Sequence, residues 1–273
     1  MLAPGSASAL TADAPQAKVA VVDGRTYHVV WSCLLLLEIA IQFLTCATHF
    51  PTLAKEVLLR IAELLRLFNT RANKLVLGAD AMRLTRLKRI TAKHLALCSQ
   101  CLSLVIAELP HIRAAVANHL PAKQVPLLLE LDKVTSEFQE HNEKILSKFI
   151  DIIDTCVKQM GERLEVANYD TVQPSSAVRE LVKSTTTLHT VLHKVLPPEQ
   201  MHEVFARIFD LFSRRVPLYF TKVSPSTPQG CQRVRDDISH LVEQLGGLEA
   251  IQSDCSQLRL DIYNQNKQLG GQQ

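Results

Sequence analysis

Leu127, Leu131, Val134, Phe138, His141, Ile145, Phe149, Ile152, Cys156 and Met160 follow one another at spacings of three or four. On an α-helix that spacing draws a single apolar stripe. A helix of close to forty residues is roughly 55 to 60 Å long at 1.5 Å per residue, too long for a compact globule. The stripe therefore predicts an all-α, elongated architecture. Composition agrees, since aromatic residues make up only 5% and glycines number 9, while Leu, Ala, Lys, Glu and Gln recur throughout.

The remaining segments read in the same way. In VAVVDGRTYHVV, Asp23-Gly24 lies between apolar residues and predicts a short β-hairpin, which must lean on helices for a core. Helical patterning then runs from near Tyr27 to about His49, from about Thr52 to Leu77 with a stop at Gly78, and from about Asp80 to Glu108 before Pro110; a short piece covers Ile112 to His119. Beyond the polar linker Asn168 to Ser176, Val178, Leu181, Thr185, Leu188, Leu192 and Val195 form a narrow seam of coiled-coil type. Pro197-Pro198 opens a helix with Val204, Phe205, Ile208, Phe209, Leu211 and Phe212 on its stripe. After SPSTPQG, a last helix carries Val234, Ile238, Leu241 and Leu245. Short connections between amphipathic helices predict an elongated stack of antiparallel helical hairpins. The expected division is a disordered tail at 1–18, a helical module at 19–125, a carboxy-terminal helical bundle at 126–262 and a frayed tail at 263–273.

Thirty basic against 27 acidic side chains leave a net charge of +3, which gives no bulk basis for nucleic-acid binding. The seven cysteines are odd in number and sit in apolar helical contexts, so they read as free thiols in a reducing compartment. MLAPGSASALTADAPQAK lacks the basic and apolar regions of a secretory signal. WSCLLLLEIAIQFL is interrupted by Glu38 and Gln42 and is shorter than the ~20 residues that span a bilayer, so no transmembrane helix is expected from it.

Candidate chemistry concentrates in HLALCSQCLSLVIAELP. His94, Cys98 and Cys101 fall within about 60° of one another on a helix, with Leu87 and Val105 on the same face. One reading is a three-ligand metal or redox site; the other is a buried seam of small apolar residues. Structural zinc takes four ligands, no second Cys-x-x-Cys exists, and this pair lies mid-helix, so the buried seam is the expected reading. His189 and His193 stand at i and i+4 without carboxylate partners, and His202-Glu203 lacks the second histidine of a zinc protease. His141, on the long stripe, reads as a hydrogen-bonded core histidine. No nucleophile elbow, P-loop or dinucleotide turn is present, so neither an enzyme nor a cofactor is expected, and no small-molecule substrate. The one charge feature is basic: Arg86, Arg89 and Lys93 share a helix face, a surface suited to an anionic membrane or an acidic partner.

The run LVLGADAMRLTRLKRITAKHLALCSQCLSLVIAELPHIR, Leu75 to Arg113, resembles the carboxy-terminal region of the vacuolar protein sorting-associated protein 54 family. VVDGRTYHVVWSCLLLLEIAIQFL upstream and RLFNTRANKLVLGA at the join extend the likeness, which is strong from about Val19 to Arg113 and collinear to about Ile251. The resemblance implies a non-enzymatic subunit of the Golgi-associated retrograde protein complex, a tether for endosome-derived vesicles at the trans-Golgi network. It implies a long helical rod, with 19–125 as the family core and Gly78 and His94 as fold-defining positions. Other tethering-complex subunits, vesicle fusion proteins and membrane are its implied partners, and the cytosolic face of trans-Golgi network and endosomes its implied place, held peripherally. Family members are much longer, with an amino-terminal coiled coil for assembly that this sequence does not contain.

Overall fold

Asp23 and Gly24 both adopt positive φ, +49° and +76°, the left-handed pair that a two-residue hairpin turn requires. A computed structural model of the chain, which describes residues 18–79, 81–85, 88–166, 175–223 and 225–248, shows what that turn joins. Strand β1 (Lys18–Val22) pairs antiparallel with β2 (Arg25–Val29), in register from Lys18 opposite Val29 to Val22 opposite Arg25. Strand β2 alternates, burying Tyr27 and Val29. Helical patterning was expected from Tyr27, but the strand claims those residues because alternation buries both. The first helix starts at Trp31.

The fold is all-α apart from this hairpin. Among the described residues there are eight α-helices: α1 (Trp31–His49), α2 (Ala54–Val76), α3 (Ala81–Thr85), α4 (Ala92–Ala117), α5 (Leu129–Val166), α6 (Ser176–His193), α7 (Pro198–Phe220) and α8 (Pro228–Gly246). The tails at 1–17 and 249–273, and residues 167–174 of the polar linker, lie outside the described residues.

Three further features of the helices differ from the expectation. The segment expected from Asp80 to Glu108 is broken: α3 ends at Thr85, residues 88–91 are not helical, and α4 begins at Ala92. The expected stop before Pro110 is overridden, and α4 runs through it to Ala117. An interior proline costs ~3 kcal/mol, but Val105, Leu109, Ile112 and Val116 continue one buried stripe across it. In α5 the stripe holds from Leu131 to Phe149 and then passes to Ile153 and Val157, leaving Ile152 exposed and Cys156 half-buried. Two consecutive i+4 steps turn a stripe by about 80° about the helix axis.

The chain divides into two compact units. The first comprises residues through Ile90 with Leu97–Asn142, and the second Thr91–Ala96 with the chain from Glu143. Helices α4 and α5 each supply residues to both.

In the first unit, α1 and α2 form a hairpin across a short 3₁₀ turn, Pro51–Leu53. Helices α1 and α4 run in the same direction, since Cys33 meets Cys101 and Thr48 meets His119. Helices α2 and α5 are likewise parallel: Arg66 pairs with Glu130 and Glu137, and Asn69 with Glu137 and His141. Helices α4 and α5 oppose each other through Ser99 with Asn142 and Arg113 with Asp132. The result is an up-down-up-down order built from short links. Leu58, Ile61, Leu65, Leu102, Leu104 and Phe138 fill its core.

In the second unit α5 and α7 are parallel, joined by Glu143–Arg207, Asp154–Arg215 and Glu165–Lys222. Helix α6 runs between them in sequence, pairing Glu180 with Arg163 and placing His189 edge-on to Phe205. All six residues of its predicted seam are buried. Thr227 caps α8, its hydroxyl accepting from the Gly230 N–H at 3.0 Å, with Pro228 in the first turn. Phe149, Phe205, Phe212 and Phe220 are the large side chains of this core.

Candidate functional site

The basic stretch between Arg60 and Lys93 separates into charges that hold the fold and charges that do not. Arg60 pairs with Glu63 one turn on. Arg66 bridges α2 to α5, its Nη2 donating to Glu130 at 3.0 Å and its Nε to Glu137 at 3.1 Å. Burial is the largest single influence on Arg66 and lowers its pKa, but the two carboxylates together outweigh it and hold the guanidinium above its ordinary value, while Lys133 and Arg66 hold Glu130 below its own. Beside this pair, the Asn69 Nδ2 donates to the Glu137 carbonyl at 3.2 Å, which turns its Oδ1 toward His141. His141, 3% exposed, therefore carries its proton on Nδ1 and donates it at 2.6 Å. The core-histidine reading of His141 holds.

Arg71 and Lys74 on α2, Lys88 and Arg89 after α3, and Lys93 in the first turn of α4 are exposed and have no ion-pair partner among the described residues. Arg86, the third residue of the predicted face, lies outside the described residues, as does Leu87. The helix break moves Arg89 into the link before α4. Lys93 stands where the helix dipole is positive, and no acid accompanies it in that turn.

Helix α4 is buried on most of its circumference rather than along one seam. Ser99 and Gln100 are as buried as Cys101, Leu102, Leu104 and Val105. Cys98 is half-buried, and burial pushes its thiol up. His94 is half-buried at the third helical position, where its Nδ1 accepts from the Thr91 N–H at 3.1 Å. Burial, with Lys93 beside it, holds its pKa below the ordinary value. Among the described residues no three His, Cys, Asp or Glu side chains converge as metal ligands.

The neighbour of Cys101 is a residue that spacing along the chain does not single out. Cys33, in the first turn of α1, donates to the Cys101 carbonyl at 3.6 Å. The Val30 N–H donates to the Cys101 sulfur at 3.4 Å. Cys33 sits on the small buried stripe of Leu36, Ala40 and Ala47, which marks it as a packing position; its partner is fixed only by tertiary packing.

Two helices, α1 and α4, are long and apolar enough to cross a membrane by length and composition, whereas none was expected. The most apolar window of α4 is 67% buried within the protein and that of α1 only 22%. Trp31, Leu35 and Ile41 of α1 are exposed.

Comparison with known proteins matches this architecture to one family. The family described as Vps54-like protein is matched over residues 24–155, from the hairpin turn through most of α5. Vacuolar protein sorting-associated protein 54 of Rattus norvegicus is 38% identical over 205 residues, covering 75% of this chain and 21% of that protein. The Homo sapiens protein of the same name is 35% identical over the same shares. The Arabidopsis thaliana vacuolar protein sorting-associated protein 54, chloroplastic, is 28% identical over 85% of this chain and 24% of its own length. The chain thus spans about a fifth of the length of the first two. With the family region laid over strand β2, helices α1 to α4 and most of α5, and with relatives alike across three quarters of its residues, the chain belongs to the Vps54 family.

Proposed function

We propose that the chain is a non-enzymatic module of a vesicle-tethering subunit acting in retrograde transport from endosomes to the trans-Golgi network. The observation that carries this reading is the likeness to vacuolar protein sorting-associated protein 54 over three quarters of the chain. The module works by placement: helix–helix packing holds surfaces that engage other subunits of the Golgi-associated retrograde protein complex, vesicle fusion proteins or an anionic membrane. It acts from the cytosolic face, peripherally. Arg86, Arg89 and Lys93 form the contact, supported by the exposure of Arg89 and Lys93 and their freedom from ion pairs among the described residues. Each cation near an anionic bilayer contributes about 1 kcal/mol, so three suffice for a reversible contact and not for an anchor.

Affinity capture with the sister subunits, and flotation with phosphatidylserine vesicles, test the reading. The chain should co-purify with the complex or float with the vesicles, and Arg86→Glu, Arg89→Glu and Lys93→Glu together should weaken the interaction while the helical circular dichroism signal stays. A folded chain that binds neither overturns the reading. Binding unchanged by the charge reversals removes the basic contact from it.

A further inference from the structure

Cys33 and Cys101 are 0% and 2% exposed, come from different helices, and touch. They share the floor beneath the link between β2 and α1, because Val30, the last residue before α1, donates its N–H to the Cys101 sulfur. We propose that Cys33 and Cys101 form a redox-sensitive pair that closes to an intramolecular disulfide, locking the start of α1 to α4 within the first unit. The oxidant is a low-molecular-weight disulfide such as glutathione disulfide. The Cys101 thiolate attacks one sulfur of that disulfide, forming a mixed disulfide and releasing one glutathione thiolate. The Cys33 sulfur then attacks the Cys101 sulfur, expelling the second glutathione; two protein thiols and one glutathione disulfide become one protein disulfide and two glutathione thiols.

The assignment of roles follows from the hydrogen bonds. Cys33 donates to the Cys101 carbonyl, and the neighbouring Cys33 thiol holds the Cys101 thiol below its ordinary value, with burial opposing, while Cys101 and burial push Cys33 up. The Val30 N–H stabilises the Cys101 thiolate further. Cys98 is less suited to pair with Cys101: both stand on one helix at i and i+3, and burial raises the Cys98 thiol. Both sulfurs of the Cys33–Cys101 pair are covered, so reaction follows a local opening of the hairpin and the first turn of α1. The exposed valines of β1, Val19 and Val21, show how little apolar packing holds that end. The cross-link would make the same end rigid.

The test incubates the full chain with excess glutathione disulfide, quenches it with an alkylating agent and maps the links by mass spectrometry. Trypsin leaves Cys33 with Cys46 on residues 26–55 and Cys98 with Cys101 on residues 94–113. A Cys46→Ala, Cys98→Ala chain therefore makes the linked pair unambiguous, and fragmentation of the wild-type peptides reads the same pair without substitution. The expected result is a Cys33–Cys101 link, lighter by two hydrogens, that forms faster at low denaturant concentration and raises the thermal midpoint until dithiothreitol reverses it. A dominant link through Cys98 or Cys46, or glutathione left on single cysteines with no Cys33–Cys101 link, overturns the proposal.

Discussion

At the scale of single residues, the start of α4 rests on an unusual helix cap. Thr91 is the residue before the helix, and the side chain three positions on normally returns to its backbone N–H as a glutamate or glutamine. Here His94 does so, through Nδ1 at 3.1 Å, with the Thr91 hydroxyl 3.0 Å from the same nitrogen. An imidazole accepts there only while Nδ1 is unprotonated. His94 is held below its ordinary 6.5 by burial and by Lys93, so the unfolded chain takes up this proton more readily than the folded one. The cap's contribution is therefore complete above about pH 6.5 and is lost as pH falls through the depressed folded value. Its size is that of a helix cap, about 1 kcal/mol or less because the ring is half exposed. Hydrogen exchange of the amides of residues 92–96, corrected for intrinsic rate, should show weaker protection at pH 5.5 than at pH 7.5. His94→Gln keeps the acceptor without the titration and should flatten that difference. An unchanged pH dependence in the variant would show that another group controls the helix start.

At the scale of helices, α5 and α7 come close enough that glycine is required between them. A Cβ built on Gly161 would lie 2.2 Å from two ring atoms of Tyr219. Gly161→Ala in the native background should therefore cost about 1–3 kcal/mol by overpacking. With Tyr219→Ala already in place the clash is gone, and the same change should instead stabilise by up to about 1 kcal/mol, the helix preference of alanine over glycine. Urea melts of the four chains form a double-mutant cycle, and equal effects of Gly161→Ala in both backgrounds would rule out the close approach. Nothing in the sequence announced that contact, and the contrast explains what was legible. The stripes of α6, α7 and α8 are local and periodic, and they could be read; so could the Asp23-Gly24 turn, whose chemistry is confined to two residues. The break between α3 and α4 was obscured because histidine replaced the usual acid or amide of the cap after Thr91. Pro110 signalled a stop that buried Ile112 and Val116 overrode, and the shift from Ile152 to Ile153 depends on which neighbours α5 meets. The candidate site divides likewise: the cations at Arg89 and Lys93 and the Cys98–Cys101 spacing stand in the sequence, whereas the meeting of Cys101 with Cys33 arises only from parallel packing of α1 and α4.

At the scale of the whole molecule, two units divide two helices between them, α4 near its start and α5 along its length, and that arrangement predicts how the chain unfolds. Phe138 is buried in the first unit and Phe205 in the second. Truncating either to alanine removes a large core side chain and should cost about 3–5 kcal/mol in its own unit. Whether the loss spreads depends chiefly on α5, whose residues through Asn142 belong to the first unit and whose residues from Glu143 belong to the second, since α4 gives the second unit only its first turn, residues 92–96. If the first unit opens, its share of α5 is fewer than ~15 residues, too short to stay helical without tertiary packing. That share melts with its unit, and the rest of α5 keeps the Glu143–Arg207 and Asp154–Arg215 pairs that tie it to α7. The helix therefore transmits little of the loss, and unfolding proceeds in two steps. Pulse-labelling hydrogen exchange along a urea gradient resolves them peptide by peptide. Phe138→Ala should lower the midpoint for residues 31–76 and 97–142 and leave 176–246 in place, and Phe205→Ala should do the reverse. Equal displacement of both sets by either substitution would mean that α5 couples the two cores into one cooperative unit, and the stiffness of that helix, rather than the packing at its two ends, would then set the stability of the chain.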